Sequence, residues 1–269
     1  VPELAEVEYY RKRWSPYQGE TVLGVRMHSS KRIFRGVDSH LLCQSLFDQK
    51  LTGAFAHGKQ LLFQFGKDVW LGIHLGMTGK LEVGTTDSPV AKHQHLCIDL
   101  HSGIRLLFFD SRMFGRVRFD LCDGEPQWWS ELAPGLLSKD FTIERVLTFL
   151  RRRKGAQIKA VLLMQEMFPG IGNWMADEIL WCCQIDPRTK AGKIDSEKGM
   201  ELHRQIQLVA RDAIAVIGSN WGDPPNSWLF NHRWKDGGNC PQTKEPLKRE
   251  RIGGRTTCWS PNWQTYRGM

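Results

Sequence analysis

A chain of 269 residues, 41% of them hydrophobic, is long enough for two modest domains that each bury a core. Lys and Arg number 37 against 29 Asp and Glu, a net charge of +8 that favours a polyanionic partner, nucleic acid before membrane. The seven cysteines include no C-x-x-C pair and read as reduced thiols of an intracellular, cytoplasmic protein, not as a disulfide framework. No apolar run reaches the roughly 18 residues of a membrane span, and the start of the chain, charged from Glu3 onward, lacks a signal-peptide shape.

Residues 1–16, VPELAEVEYYRKRWSP, predict a helix. Leu4, Val7, Tyr10 and Trp14 share one face, and early acids with late Arg11, Lys12 and Arg13 suit the helix dipole. A helix held this early can place an N-terminal amine in a defined position. From about Thr21 to Phe119, the runs TVLGVRMH, KQLLFQF, VWLGIHLGM, HLCIDL and IRLLFFD predict strands. One helix, roughly 40–49, is expected behind an Asp38-Ser39 cap. Residues 1–122 thus read as a two-layer β-sandwich. The irregular, proline-containing stretch at 123–138 reads as a linker. Helices are expected at about 142–152, 156–166, 173–183 and 196–217, the last stopped by Gly218, within a helical domain at 139–231. The basic tail, 232–269, carries Gly253-Gly254 between polar runs, which suggests a β-hairpin. The fold class is therefore multidomain α+β.

Between residues 161 and 187, two apolar helical segments flank Pro169-Gly170-Ile171-Gly172-Asn173. The glycines permit close backbone approach, Asn173 stands where an N-cap belongs, and such a turn aims free N–H groups at one point, which suits a phosphate. The same residues also suit a helical hairpin whose glycines only let two helices pack. The segment as a whole resembles the helix–two-turn–helix element of the formamidopyrimidine-DNA glycosylase / endonuclease VIII (Fpg/Nei) family. The resemblance runs on in family order. PELAEVE at Pro2–Glu8 looks like PELPEVE, with Ala5 in place of a proline. HGKQLL places Lys59 at the family's active-site lysine, and HLGMTG (Met77) and DSRMFG (Arg112, Phe114) match HLGMSG and DPRRFG. KHQHLCIDL contains His93 and matches KHDHVDL, IKAVLLMQ contains Lys159, and GGRTT contains Arg255 and matches GRST.

The resemblance implies a β-sandwich with a terminal helix, a helix–two-turn–helix domain and a hairpin finger, with double-stranded DNA in the cleft between domains. It also implies a DNA glycosylase with AP-lyase activity on oxidised bases or abasic sites, acting as a monomer without a cofactor. The rival reading is a lesion- or abasic-site-binding protein with little catalysis. Met77, Arg112 and Phe114 are the expected plug for the gap left by a flipped nucleotide; ordinary core positions are the alternative for Met77 and Phe114. Lys59, His93, Lys159, Asn173 and Arg255 are the expected phosphate clamps, Arg255 also assisting elimination. Met113 departs from the second arginine of DPRRFG, which removes one backbone contact.

In this family an N-terminal amine attacks the sugar C1′, with Glu3 as the matching acid and Glu6 as a second carboxylate. In Fpg that amine belongs to proline; here Val1 precedes Pro2, so Pro2 nitrogen is a tertiary amide and Val1 is the expected nucleophile. Displacement by up to about 3.8 Å along the chain is expected to harm base excision more than attack on an open abasic aldehyde. The family's zinc finger has C-x-x-C on each side of its hairpin, where this chain has Cys240, Thr243, Ser260 and Trp263, so a zincless finger is expected, with Trp259 and Trp263 contributing. The short segment between Gly218 and His232 predicts a weak lid over a flipped purine, hence a preference for abasic or oxidised-pyrimidine lesions over 8-oxoguanine.

Overall fold

The structure is a computed structural model that describes residues 2–268. Contacts divide the chain into two units. One holds Pro2 and residues 6–132, and the other holds Glu3–Ala5 with residues 133–268.

The first unit is a sandwich of two four-stranded sheets, every pairing antiparallel. In chain order the strands are β1 (Val22–Met27), β2 (Leu51–His57), β3 (Gln60–Phe65), β4 (Val69–His74), β5 (Lys80–Thr85), β6 (Gln94–Leu100), β7 (Ile104–Phe109) and β8 (Arg116–Leu121). One sheet runs β1-β6-β7-β5 and the other β2-β3-β4-β8. The two-residue period of a strand puts Leu61, Phe63 and Phe65 of β3 on one face, and Leu96, Ile98 and Leu100 of β6 on another. These faces share one buried core with Leu71 and Ile73 of β4 and with Phe108 of β7. The first helix, α1 (Leu4–Trp14), ends in Trp14, which is fully buried. Its ring lies 4.7 Å from that of Phe63, and its indole N–H donates to Glu82 O, so one side chain engages both sheets. Helix α2 (Ser39–Leu46) is capped by Asp38, whose carboxylate accepts from His40 N and Leu41 N. It stops before the expected boundary because the chain turns at Asp48, in a left-handed conformation (φ 62°). A short helix, α3 (Gln127–Ser130), stands within the stretch expected to be irregular.

The second unit contains α4 (Ile143–Arg152), α5 (Ile158–Leu162), α6 (Asn173–Cys182) and α7 (Ser196–Asn220) around a separate core. Thr142 and Asp195 cap α4 and α7 through side-chain oxygens. Two expected boundaries are corrected. The segment expected to be helical through residue 166 ends as α5 at Leu162, because the Gln165 amide takes over the backbone bonding of the turn. Its oxygen accepts from Gly170 N, and its nitrogen donates to Leu163 O and Ile171 O. Helix α7 passes through the buried Gly218 and ends at Trp221, in a left-handed conformation (φ 60°).

The tail forms the antiparallel hairpin of β9 (Lys248–Ile252) and β10 (Arg255–Trp259). Its base is fastened by hydrogen bonds that involve Cys240, Ser260 and Trp263, three of the four positions of the family's zinc site, and their neighbours. Trp181 Nε1 donates to Cys240 Sγ (3.4 Å), Trp263 Nε1 to Trp181 O (3.0 Å), Ser260 N to Gln264 Oε1 (2.8 Å) and Gln264 Nε2 to Ile185 O (2.9 Å). Trp259 is buried and donates to Glu250. A zinc ion does not fit this donor set. Among the described residues no group of three or more His, Cys, Asp or Glu side chains could hold a metal. Burial pushes the Cys240 thiol up, but hydrogen bonds from Thr243, Trp181 and Ser260 outweigh it and leave the thiol below its usual range.

Asp177 ties the hairpin to the helices. Its fully buried carboxylate takes Lys159 Nζ on one oxygen, and Arg233 and Cys258 N on the other. Removing that charge strands two buried cations, so Asp177→Asn is expected to cost about 3–5 kcal/mol in a denaturant melt. Exhaustive dialysis against EDTA is expected to leave the melting temperature unchanged. A chelator-induced drop would contradict a hairpin base held without metal.

Candidate functional site

In the first unit the candidate residues gather on neighbouring loops at the ends of β3, β4 and β7. Lys59 lies in the two-residue turn between β2 and β3, and the pairing Gln60↔His74 brings that turn beside the end of β4. His74 Nδ1 accepts from Gly76 N (3.0 Å), which leaves Nε2 as the protonated nitrogen. Burial, then the charges of Lys59 and Arg118, lower its pKa, so the ring is neutral at pH 7.

Two loops follow, Leu75–Gly79 and Asp110–Gly115, and they interlock. Gly76 adopts φ +64°, and a Cβ there would strike the backbone of Phe114. Asp110, fully buried, is the junction. Its Oδ1 accepts from Thr78 Oγ1 (2.7 Å) and Arg112 N (3.3 Å), and its Oδ2 accepts from Gly115 N (2.7 Å). Its backbone oxygen accepts from His95 Nε2 (3.0 Å), and its N–H donates to His93 O. Because His95 Nε2 is the donor in that bond, Nδ1 of the neutral ring accepts, and the 3.1 Å contact with His28 Nδ1 makes His28 its donor. Burial, the largest influence, keeps His95 below the usual histidine range.

This frame holds the expected plug residues outward. Met77 is 39% exposed and Phe114 45% exposed, neither of which is a core value. The Arg112 guanidinium lies 4.8 Å from the Phe114 ring centroid. Met113 turns the other way and packs against the sandwich core. His93 is half-buried, edge-on to Phe109. Pro2 and Glu6 are also half-buried. Val1 lies outside the described residues.

In the second unit the candidates gather around the N-terminus of α6. The N-cap position belongs to Gly172, and Asn173 is the first helical residue, which corrects the expected assignment. The capping side chain comes from the other end of the chain. Glu3, 2% exposed, accepts from Gly172 N (2.9 Å) and Met175 N (3.1 Å) on Oε2, and from Trp174 N (3.0 Å) on Oε1. Leu4 N donates to Gly170 O (3.0 Å). A Cβ at Gly172 would collide with the Glu3 carboxyl, so only glycine leaves room for this acid. Three donated N–H groups and a helix N-terminus suit a carboxylate anion.

Asn173 Nδ2 donates to Thr256 O (2.8 Å), tying the turn to the hairpin. Arg255 is exposed at the start of β10, and Gly253 N donates to Gln157 Oε1 (3.1 Å), which fixes the hairpin tip on the start of α5. Lys159 requires a correction. It was expected to clamp a phosphate, yet its ammonium is fully buried, paired with Asp177 and bonded to Asn173 O (2.7 Å). Burial lowers its pKa, and Asp177 opposes that shift. Lys159 therefore holds Asn173 from behind. Sequence reasoning missed Asp110, Thr78, Asp177 and Arg233. The one available signal was the acid that opens DSRMFG, since an aspartate before a tight turn often bonds the following backbone.

Comparison with known proteins places these features. The formamidopyrimidine-DNA glycosylase N-terminal domain model matches residues 1–117, and the formamidopyrimidine-DNA glycosylase H2TH domain model matches residues 132–223. The formamidopyrimidine-DNA glycosylase of Chloroflexus aurantiacus is 31% identical, covering 98% of each chain. That of Lactobacillus helveticus is 30% identical over 98% of this chain and 99% of its own. Among solved structures, Lactococcus lactis Fpg bound to DNA containing N7-benzyl-Fapy-dG superposes with a TM-score of 0.88 at 26% identity, covering 98% of this chain and 100% of its own. MutM in complex with DNA containing carbocyclic 8-oxo-G gives a TM-score of 0.88 at 27% identity, with the same coverage. With both domain models matched in order and relatives above 30% identity aligned end to end, the chain belongs to the formamidopyrimidine-DNA glycosylase family.

Proposed function

We propose that the protein is a DNA-repair enzyme that binds double-stranded DNA carrying an oxidised base or an abasic site, with AP-lyase activity exceeding its glycosylase activity. The observation that carries the reading is the outward projection of Met77, Arg112 and Phe114 from a frame fixed by buried Asp110. A thioether, a guanidinium and an aromatic ring on two rigid loops suit the gap left by an extruded nucleotide, because the loops need little ordering on binding. Lys59, His93, Asn173 and Arg255 supply donors for the sugar–phosphate backbone, with Lys159 acting through Asn173.

In the lyase step an N-terminal amine condenses with the C1′ aldehyde of an open abasic sugar and water leaves. Loss of a C2′ proton from the resulting iminium then expels the 3′-phosphate. The nucleophile in this reading is the α-amine of the protein's N-terminal residue. An amine with pKa of about 8 keeps a useful neutral fraction at pH 7. Base excision asks more, because the N-glycosidic bond must also break and a proton must reach the sugar ring oxygen or the departing base. The expected acid, Glu3, already accepts hydrogen bonds from three backbone N–H groups. That engagement supports a glycosylase step weaker than the lyase step. The same engagement favours a second reading, a lesion-binding protein with little catalysis.

The loop after α7 supports the lesion preference. It is short and pinned: Asn231 Nδ2 donates to Pro224 O (2.6 Å), His232 Nε2 bonds Asn226 O (2.9 Å), and Glu178 accepts from Leu229 N and Phe230 N. A segment fastened in this way makes a poor closing lid for 8-oxoguanine.

Borohydride trapping with abasic duplex, followed by peptide mapping, is expected to give a cross-link at the α-amine of the N-terminal residue. A cross-link at a lysine, or none, rejects the N-terminal amine. Alanine at Met77, Arg112 and Phe114 together is expected to weaken abasic-duplex binding at least about a hundredfold while barely moving the melting temperature. A cooperative loss of several kcal/mol of stability, as for buried residues, sinks the plug assignment. Gly172→Ala pushes the Glu3 carboxyl aside without deleting it, and angstrom-scale misplacement costs on the order of a hundredfold in rate. It should slow strand nicking comparably to Glu3→Gln; nicking at the unmodified rate in both variants removes Glu3 from the mechanism.

A further inference from the structure

The loop Asp110–Gly115 brings one guanidinium of its own, since Met113 faces the sandwich core. A second guanidinium reaches the same loop from a distant part of the sequence. Arg32 opens a 3₁₀ turn, Arg32–Phe34, whose Ile33 and Phe34 are buried in the sandwich core and fix its base. From there Arg32 Nε donates to Met113 O (2.6 Å) and Nη2 donates to Arg112 O (3.3 Å). Its Cζ lies 4.7 Å from the Phe114 ring centroid, beside the 4.8 Å contact from Arg112. Phe114 is thus a half-exposed ring contacted by two guanidinium groups. Met113 holds φ +55°, a left-handed conformation unfavourable for a non-glycine residue. A charged donor on its carbonyl offsets that cost.

We propose that Arg32 is a positioning residue for the Phe114–Arg112 wedge: it locks the loop in its projecting conformation before DNA arrives and supplies the cation that Met113 does not. The inference rests on the plug reading above and adds a residue outside the family's quoted motifs. A planar fork bonded to two successive carbonyls restricts the loop as a lysine cannot, because an ammonium lacks the fixed donor geometry and the flat face that stacks on an aromatic ring. Arg32 also adds positive charge next to an inserted ring, where the DNA backbone must pass, and one fewer phosphate neutralised lowers the salt dependence of binding by about one unit of slope.

The test uses the full chain and a duplex with 2-aminopurine next to a stable abasic-site analogue, whose fluorescence rises when a wedge unstacks it. Phe114→Ala is expected to abolish the rise. Arg32→Ala is expected to cut the rise at saturating protein to below about half and to weaken binding about tenfold, a size fitting one charge-assisted bond with a cation–π contact. Arg32→Lys is expected to restore the salt slope but not the fluorescence, a split that a purely electrostatic residue does not produce. Where Arg32→Ala does not fold, the Arg32→Lys signal decides the same question. A wild-type fluorescence rise in the Arg32 variants, with Phe114→Ala dark, overturns the role of Arg32 and leaves the wedge standing. An undiminished rise in Phe114→Ala overturns the wedge, and the role of Arg32 with it.

Discussion

The carboxylate of Glu3 at the N-terminus of α6 is the interaction on which the second unit's site depends. A helix begins with N–H groups that its own ladder cannot satisfy, and at α6 three such groups, from Gly172, Trp174 and Met175, turn to one acid from the far end of the sequence. Without that acid they are stranded in a buried turn, at about 1–3 kcal/mol each. The bare Gly172 backbone admits the carboxyl, and Leu4 N continues the attachment to Gly170 O. The same turn carries Asn173, which holds the hairpin at Thr256, next to Arg255. One cap therefore sets both the course of the N-terminal segment and the base from which the hairpin is held.

The pattern recurs. Asp110 and Asp177 are buried acids whose oxygens collect donors from several elements, and around each stand the residues that face outward. Asp110 gathers Thr78, Arg112 and Gly115, and so joins the loop of Met77 to that of Phe114. Asp177 gathers Lys159, Arg233 and Cys258 N, performing by charge and hydrogen bonding the linkage for which Cys240, Thr243, Ser260 and Trp263 lack the thiolates. Buried charge is costly unless fully paired. Here the pairing leaves little freedom in where the exposed groups can stand.

Much of this was legible in the sequence, and the gaps have physical causes. The expected strand runs correspond to β1, β3, β4, β6 and β7, and β3, β4, β6 and β7 carry near-continuous buried apolar runs that stand out in the sequence. The strands not anticipated, β2, β5 and β8, are all sheet edges. An edge strand is solvated along one side and carries charges and glycines, as in KLEVGT and RVRFDL, so its pattern fades. Asp38 announced its helix because a cap is local. The Glu3 cap was not legible, since nothing local in PELAEVE says which helix it serves. Lys159 misled for the same reason: IKAVL does not reveal that Asp177, eighteen residues on, waits in the core for its ammonium. The exposure of Met77 and Phe114, by contrast, follows their motifs and not their hydrophobicity.

The central proposal is that this protein processes abasic sites faster than damaged purines. Single-turnover nicking of two duplexes identical except for an abasic site or an 8-oxoguanine, with enzyme in excess, tests it most directly. The account predicts nicking of the abasic duplex at least about tenfold faster, as expected when attack on an open aldehyde is less demanding of alignment than base excision. Equal rates, or faster processing of 8-oxoguanine, would contradict it.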